Sequence, residues 1–375
     1  MEALLGKTLE ELQQVAITAG LPKFTGKQLA QWLYVQRVTS FDEMTNISLK
    51  GREALKANYV IGRHKPVKEA ISEDGTRKYL FEVKSQESSA ESQKSSAESQ
   101  FIESVYIPEE DRATLCVSTQ LGCKMGCKFC MTGTLGFHGH LPASEILNQI
   151  FEIDQLAIIN HQSPLTNLVY MGEGEPMDNL DNMLRSLDIM TAEYGCAWSP
   201  KRITVSTVGI PAMKRFLDES ECQLAVSMHN PFATERKEIM PAEKLMSITD
   251  VVALLKQYDW SHQRRVSFEY ICWKGQNDSV KHAKELIRLL KGLNCRINLI
   301  RFHEGVNNGE RLAAKGERYF PASDEKQMVR LRDYLTDNGV TTTIRRSRGE
   351  DILAACGMLV NALSAHEDMQ SQSPA

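Results

Sequence analysis

The chain has 375 residues, of which 42% are hydrophobic and 25% charged, and its formal net charge is -4. These values exclude a disordered, collagen-like or disulfide-scaffold protein, and they exclude a globally basic nucleic-acid binder. The length suits about two domains, or one α/β barrel with a small appendage. No signal-peptide pattern or membrane-spanning apolar run occurs, so we expect a cytoplasmic protein.

Residues 1–62 have the amphipathic spacing of helices, and we expect them to form a helical accessory domain. The pattern predicts three helices, over 9–19, 26–37 and 41–60. No strand pattern occurs in this part of the chain.

Residues 63–110 are predicted to form a β-hairpin linker region. Two alternating apolar runs indicate its strands, over 78–83 and 102–107. Between them the hexapeptide SSAESQ occurs twice. A tract without large apolar side chains cannot offset the entropy of ordering, so 85–100 is predicted to be a disordered loop.

From residue 115 onward, β-branched runs alternate with amphipathic helical runs, as in successive βα units. The strand candidates are 115–119, 167–171, 203–207, 224–228, 266–271 and 297–302, with 341–344 as a late addition. The helix candidates are 143–159, 180–194, 248–258, 280–293 and 325–338. We therefore predict an α/β fold with a partial or full (βα) barrel over 111–360 and a disordered tail over 361–375. In such a barrel the active site lies at the C-terminal ends of the strands.

Three cysteines, Cys123, Cys127 and Cys130, form a CxxxCxxC motif directly after the first barrel strand. Three thiolates can hold three irons of a [4Fe-4S] cluster and leave the fourth iron open to a small ligand. Structural zinc is the alternative. It would need four ligands, and the only nearby additional donors are His138 and His140.

An aromatic residue, Phe129, stands one position before the last motif cysteine, and Met131-Thr-Gly133 follows it. With these neighbours the motif resembles that of the radical S-adenosylmethionine superfamily. The resemblance implies that the open iron binds the amino and carboxylate groups of S-adenosylmethionine. One electron from the cluster then cleaves the sulfonium to a 5'-deoxyadenosyl radical.

A glycine-rich loop, 171–176 with the sequence MGEGEP, follows the second barrel strand. Its glycines let a ligand approach the backbone, and Glu173 or Glu175 can accept a hydrogen bond from an ammonium group. Alone, such a loop is a weak signal. After the cysteine motif it resembles the GGEP-like element of the superfamily, which selects Gly174 and Glu175 as cofactor-binding residues.

Polar residues also end later barrel strands: Ser206, the run Ser227-Met228-His229, and His303. Such residues are usually incidental at strand ends. On one face of a barrel, beside the cysteine motif, they become candidates for contacts to the ribose and carboxylate of the cofactor.

The remaining cysteines fall into two groups. Four of them lie in or beside apolar runs and are expected to be buried: Cys196, Cys222, Cys272 and Cys295. Cys116 instead lies in the first barrel strand, and Cys356 lies in a polar-to-small loop. The residues themselves leave open whether Cys356 is functional.

Four strings in order, VYIPEEDRATLCVSTQLGCKMGCKFCMTG, YMGEGEP, VSMH and RGEDILAACG, resemble the RlmN-type dual-specificity RNA methyltransferases, a radical S-adenosylmethionine family. The resemblance implies methylation of adenosine C2 in 23S ribosomal RNA, in the peptidyl-transferase centre, and in transfer RNA at position 37. A C8-methylating resistance enzyme of the same family is one alternative. A non-catalytic metal-binding RNA-binding module is another, but it would leave Cys116, Cys356 and Glu103 without a role.

The family resemblance also implies the catalytic residues and two molecules of S-adenosylmethionine per turnover. Cys356 would take a methyl group from the first molecule, and the radical from the second would activate that methyl group for addition to C2. Cys116 would attack the sulfur of Cys356 to release the product as a disulfide forms, and Glu103 would accept the C2 proton. An electron donor such as flavodoxin and a monomeric enzyme are expected.

The sequence departs from the family pattern at two places. His303 stands where many relatives carry asparagine, and the Ser-rich repeat has no counterpart in the family.

The resemblance also implies that the accessory domain of residues 1–62 binds RNA. A local basic patch could serve this binding despite the overall charge. Lys50, Arg52, Arg63 and Lys65 are predicted to contact phosphates, and a solvated face is the alternative.

Overall fold

The computed structural model describes residues 1–83, 100–260, 264–303, 306–307, 310–311, 321–355 and 357–359. A small N-terminal region of helices precedes a large sheet that is covered by helices. No helix in these ranges is both long and apolar enough to cross a membrane.

The N-terminal region contains three α-helices, α1 (Leu9–Thr18), α2 (Thr25–Ala30) and α3 (Leu49–Asn58), and two short parallel strands, β1 (Glu2–Ala3) and β2 (Tyr59–Val60). A capping box begins α1, because the Thr8 hydroxyl accepts from the Glu11 N–H while the Glu11 carboxylate accepts from the Thr8 N–H. The predicted first helix is confirmed. The second continues from α2 as a π-helix, and the third is divided into a 3₁₀ turn and α3. A two-residue strand has no alternating pattern, so the sequence does not predict β1 and β2.

Fourteen further strands follow, most of them in one sheet. They are β3 (Lys68–Ile71), β4 (Arg77–Val83), β5 (Gln100–Pro108), β6 (Ala113–Cys116), β7 (Gln120–Gly122), β8 (Phe137–His140), β9 (Asn167–Tyr170), β10 (Ile203–Thr207), β11 (Gln223–Ser227), β12 (Val266–Cys272), β13 (Cys295–Arg301), β14 (Val306–Asn307), β15 (Glu310–Arg311) and β16 (Thr341–Arg345).

The later helices are α4 (Met131–Thr134), α5 (Ala143–Ile159), α6 (Leu180–Thr191), α7 (Met213–Glu219), α8 (Ala233–Ile239), α9 (Ile248–Leu255), α10 (Val280–Leu290) and α11 (Glu325–Asp337). The sequence predicts five of these and misses α4, α7 and α8, which are short.

The main sheet has ten strands in the order β16-β13-β12-β11-β10-β9-β6-β5-β4-β3. Neighbours from β16 to β6 are parallel, and β5, β4 and β3 continue the sheet antiparallel. The central parallel strands β11 and β12 are almost entirely buried, which explains their runs of apolar residues, whereas β16 at the edge of the sheet has exposed threonines. The predicted α/β fold with a partial barrel is confirmed.

The predicted hairpin region joins the main sheet directly. Strand β5 pairs with β6 in the register Val105↔Cys116, so residues of the hairpin lie next to the first barrel strand. The predicted Ser-rich loop lies almost entirely outside the described residues; Gln100, its last residue, begins β5. The predicted tail and Cys356 also lie outside them. The boundaries proposed for the domains remain predictions.

Buried ion pairs join the N-terminal region to helix α5. Arg63 Nε lies 2.7 Å from Glu152 Oε1, with side chains that are 2% and 6% exposed, and Arg37 pairs with Asp154. Arg63 Nη2 also donates to Gln155 Oε1. The prediction that Arg63 contacts RNA is therefore wrong, because its buried guanidinium group is already paired with residues of helix α5.

Candidate active site

The three motif cysteines line one cavity, which we call the cysteine cavity. Its volume is about 140 Å³, and its wall contains Cys123, Cys127 and Cys130. The loop between them is held by backbone hydrogen bonds, from Cys123 N to Gly136 O (2.8 Å) and from Lys128 N to Ile239 O (3.0 Å). The sequence after β7 thus folds into a loop that presents three thiols to one space.

The thiols of the cysteine cavity fit an iron-sulfur cluster. Burial raises the pKa of Cys123 to about 12 and also raises the pKa values of Cys127 and Cys130, so a positive metal charge is needed to hold them as thiolates. In the part of the chain that the structure describes, no three His, Cys, Asp or Glu side chains converge on a single ion. Three thiolates from one loop match three irons of a [4Fe-4S] cluster, which would leave the fourth iron open to a small ligand.

The MGEGEP loop packs its backbone against the segment that follows the first barrel strand, β6. A side chain at Gly172 would place Cβ 2.8 Å from Ser118 N, and one at Gly174 would place Cβ 2.5 Å from Gln120 Cβ. Gly174 also has a φ of +98°. Only glycine fits these two positions, and the close approach brings Glu175 to the cysteine cavity.

Glu175 lies buried in the wall of the cysteine cavity. One carboxylate oxygen accepts from Met177 N (3.1 Å) and the other from Val208 N (2.9 Å). Burial raises the pKa of Glu175 to about 7, so a bound ammonium group would favour the ionised form. Glu173 has a different role, because its carboxylate accepts from the backbone N–H of Glu103 (2.7 Å).

Ser206, Ser227 and His229 line the same cavity, as the strand-end pattern predicts. His229 Nδ1 accepts from Ile271 N (3.0 Å), which leaves Nε2 as the ring position that carries the proton. Burial lowers the pKa of His229 to about 3, so the ring is neutral. The Phe129 ring packs edge-on against it, with centroids 4.8 Å apart.

A fully buried arginine, Arg236, supports two of these strand ends. Its Nε donates to Met228 O (2.9 Å), and its Nη2 donates to Ser227 O (2.8 Å) and Val208 O (2.6 Å). Glu243 pairs with the same guanidinium. The Met228 side chain is fully buried in the core, and Met228 does not line the cysteine cavity. Nothing in the spacing of α8 distinguishes Arg236 from a surface arginine, and the sequence analysis misses it.

His303 does not line the cysteine cavity. It lines a second, larger cavity of about 450 Å³ inside the barrel, which we call the lumen cavity. Its Nε2 lies 2.5 Å from the Ser347 hydroxyl and its Nδ1 lies 3.3 Å from the Glu350 carboxylate. Four residues line both cavities: Met171, Glu269, Ile300 and Arg345.

Glu103 on β5 is fully buried and pairs with Lys78 on β4, at 3.0 Å between Nζ and Oε1. The Glu103 carbonyl accepts from the Ser118 hydroxyl at 2.6 Å. The sequence analysis selects Glu103 but not Lys78, since the antiparallel pairing that brings them together is not visible in either strand alone.

The C-terminal segment is held on both sides of Cys356, which itself lies outside the described residues. Before it, Ile352 and Ala354 belong to a small apolar cluster against which Cys116 packs. After it, Gly357 lines the cysteine cavity, and its carbonyl accepts from Met131 N at 2.8 Å.

Two family models match the chain: the ribosomal RNA large subunit methyltransferase N-terminal domain over residues 3–61 and the radical SAM superfamily over residues 117–290. The probable dual-specificity RNA methyltransferase RlmN of Phocaeicola vulgatus is 53% identical over 97% of this chain and 97% of its own. Its namesake from Porphyromonas gingivalis W83 is 50% identical over 98% of this chain and 99% of its own.

The crystal structure of a radical SAM methyltransferase from Sphaerobacter thermophilus matches the fold with a TM-score of 0.84. It is 34% identical and covers 96% of this chain and 100% of that chain. The superfamily implies S-adenosylmethionine and a [4Fe-4S] cluster, and the donors of the cysteine cavity fit both. These matches span the helical region and the barrel together, and the chain therefore belongs to the RlmN family of radical S-adenosylmethionine RNA methyltransferases.

Proposed function

We propose that the protein methylates C2 of adenosine in 23S ribosomal RNA and at position 37 of transfer RNA, with Cys356 as methyl carrier and two molecules of S-adenosylmethionine per turnover. The observation that carries the proposal is the double anchoring of the segment around Cys356. Ala354 on one side packs in the apolar cluster that includes Cys116, and Gly357 on the other lines the cysteine cavity. Both RNA substrates are cytoplasmic, so a cytoplasmic enzyme follows, and we take it to be a monomer.

The cysteine cavity would hold both cofactors. Cys123, Cys127 and Cys130 would hold the [4Fe-4S] cluster, while Glu175 would accept from the ammonium group of S-adenosylmethionine. Ser206, Ser227 and His229 would contact the rest of the molecule. When bound, the two groups supply a 5'-deoxyadenosyl radical.

The chain's own thiols would supply the carrier chemistry. C2 of adenine is electrophilic and cannot attack a sulfonium methyl group, so the Cys356 thiolate takes the methyl, forming an S–C bond as the sulfonium–methyl bond breaks. When bound, the cofactors would supply the radical that removes one hydrogen atom from this methyl group, and they would accept one electron as the carbon joins C2 and the C2 proton leaves. The Cys116 thiolate then attacks the Cys356 sulfur. An S–S bond forms, the S–C bond breaks, and its electron pair remains on the carbon, which is protonated to methyl. Two electrons from a flavodoxin-type donor reduce the disulfide.

Glu103 would accept the proton that leaves C2. It lies on β5, two residues from Val105, and Val105 is the direct pairing partner of Cys116. The proton acceptor and the resolving thiol thus come from adjacent strands. Lys78 pairs with Glu103 in this buried position.

The test uses Cys116→Ala protein purified from cells and separated by denaturing electrophoresis, with and without ribonuclease. This variant can form the bond to RNA but cannot release it, so a covalent protein–RNA complex should accumulate. Cys356→Ala is the matched control and should form no complex. A Cys116→Ala protein that migrates as free protein and methylates RNA at the normal rate would show that the mechanism is wrong.

The position of the methyl group is tested separately. Mass spectrometry of nucleosides from RNA treated with the enzyme should show 2-methyladenosine. An 8-methyladenosine product would assign the enzyme to the alternative reaction.

A further inference from the structure

The lumen cavity is large enough for a ligand and lies next to the cysteine cavity. Its volume of about 450 Å³ falls within the range of pockets that bind small molecules. Met171, Glu269, Ile300 and Arg345 form the boundary that the two cavities share. A group in the lumen cavity would therefore be adjacent to whatever the cysteine cavity holds.

Glu269 has an unused acceptor at this boundary. The residue is 5% exposed, and one carboxylate oxygen accepts from Asn298 Nδ2 (2.8 Å) and the Ser267 hydroxyl (3.1 Å). Among the described residues, the other oxygen has no hydrogen-bond partner, and Arg345 Nη1 lies 3.8 Å from it. Leaving a buried acceptor unpaired is unfavourable, so a donor on a ligand would be favoured there.

Arg348 has an unused donor in the same cavity. Its Nε is buried and has no hydrogen-bond partner within the described part of the chain, and the nearest carboxylate, that of Asp74, lies 3.8 Å from Nη1. Arg346 is exposed and also lines the cavity. The lumen cavity thus offers an acceptor at its inner boundary and cationic donors elsewhere on its wall, which suits a ligand that carries both an amino group and anionic oxygens.

The lumen cavity also reaches the segment that precedes Cys356, because Ala354 and Ala355 form part of its wall. A nucleotide is the ligand that matches these features, since its phosphate suits arginine and its base can carry an amino group. Adenine presents a 6-amino donor where guanine presents a carbonyl oxygen, so a carboxylate at this point accepts the first and repels the second.

We propose that the lumen cavity receives the target nucleotide of the RNA, and that the free carboxylate oxygen of Glu269 accepts a hydrogen bond from the 6-amino group of the target adenine. Arg348 donates from Nε to an oxygen of the same nucleotide. The inference rests on the proposed function, and it adds the residue that selects adenine. Glu269 is then a specificity residue rather than part of the cofactor site.

The test compares two anticodon stem–loop RNAs, one with adenosine and one with purine riboside, which lacks the 6-amino group, at position 37. Dissociation constants are measured by fluorescence anisotropy, and methyl transfer is measured as kcat/KM. The wild type should bind and methylate the adenosine RNA roughly tenfold better or more. Glu269→Gln replaces the free oxygen by an amide NH2 group, which donates. For this variant the ratio of the values measured on the adenosine RNA and on the purine riboside RNA should therefore be close to one.

Two control variants separate base selection from general effects. Glu109→Gln changes another carboxylate in the wall of the lumen cavity, one that pairs with Arg112, and it should keep the wild-type preference. Arg348→Gln should weaken binding of both RNAs by the same factor. The intrinsic reactivity of purine riboside differs from that of adenosine, but this difference cancels when ratios are compared between variants.

The outcomes distinguish the inference from the proposed function. If the wild type methylates RNA but Glu269→Gln keeps the full preference for adenosine, the inference is overturned and the function stands. The same holds if Glu269→Gln only weakens S-adenosylmethionine binding, because the carboxylate then contacts the cofactor. If the wild type neither binds nor methylates either RNA, the proposed function fails and the inference falls with it.

Discussion

Lys78 and Glu103 form an ion pair that is almost completely removed from solvent, with side chains that are 2% and 0% exposed and 3.0 Å between Nζ and Oε1. Lys78 Nζ also lies 3.5 Å from the carbonyl of Leu353, in the segment before Cys356. One buried cation therefore contacts both the proposed proton acceptor and the segment that carries the proposed methyl carrier.

Replacing Lys78 by methionine should lower the free energy of unfolding by about 3–5 kcal/mol, because the Glu103 carboxylate is left buried without its partner. Urea unfolding measures the change. The double variant Lys78→Met/Glu103→Gln should recover much of the loss. Lys214→Met, which breaks an exposed pair with Asp218, should leave the stability almost unchanged. Equal stability of Lys78→Met and Lys214→Met would contradict the prediction.

Removing any one of the cluster ligands should abolish iron binding. In Cys123→Ala, Cys127→Ala or Cys130→Ala, two thiols remain where three are needed, so bound iron and 5'-deoxyadenosine production should be lost together. Iron analysis after anaerobic reconstitution is the measurement. Cys222→Ala, a buried cysteine outside the cysteine cavity, is the control and should keep its iron. Full iron content in a motif variant would disprove the assignment.

The stability of the iron-free protein should depend on His229 at acidic pH. Burial lowers the pKa of this imidazole from 6.5 to about 3, so between these values the unfolded chain binds a proton that the folded protein does not. Stability should therefore fall as the pH falls, by about 1.4 kcal/mol per pH unit from this residue. Denaturant unfolding between pH 6 and pH 4 should show a flatter dependence for His229→Gln. His161→Asn, at an exposed position, should retain the wild-type dependence.

Two exposed lysines of the N-terminal region, Lys50 and Lys65, should contribute to RNA affinity. Each phosphate contact that is lost should reduce the slope of log K against log salt by about 0.7–0.9. RNA binding by Lys50→Gln and Lys65→Gln, measured across a salt series, tests this. Arg63→Gln should leave the slope unchanged and lower stability instead, because Arg63 is paired with Glu152. An unchanged slope in both lysine variants would show that this surface is a solvated face that does not contact RNA.

The sequence was sufficient to locate the parts of the site that are local in the chain. The spacing of Cys123, Cys127 and Cys130 and the glycines before Glu175 identify loops, and strand-end positions identify Ser206 and Ser227, because parallel strands bring their carboxyl ends to one edge. These residues all line the cysteine cavity.

The sequence could not predict side chains whose burial and pairing depend on contacts between distant segments of the chain. Lys78 and Arg236 have the sequence surroundings of ordinary surface cations, and only the fold shows that both are buried with carboxylate partners. The error at Arg63 has the same origin, since a charge count does not reveal whether a side chain is enclosed. His303 ends a barrel strand as expected, but the strand places it beside the lumen cavity.

The anchoring of the segment before Cys356 links the stability of distant parts of the chain. Gly349 N donates to Asp74 Oδ2 at 3.1 Å, a contact between residues 275 positions apart in the chain. Ser72 Oγ likewise donates to Asp351 Oδ1 at 2.5 Å. The loop that carries the three motif cysteines is tied to the same C-terminal segment, because Met131 N donates to Gly357 O at 2.8 Å. Loosening the C-terminal segment would therefore release both the turn between β3 and β4 and the cysteine loop, so these three parts of the chain are expected to unfold together.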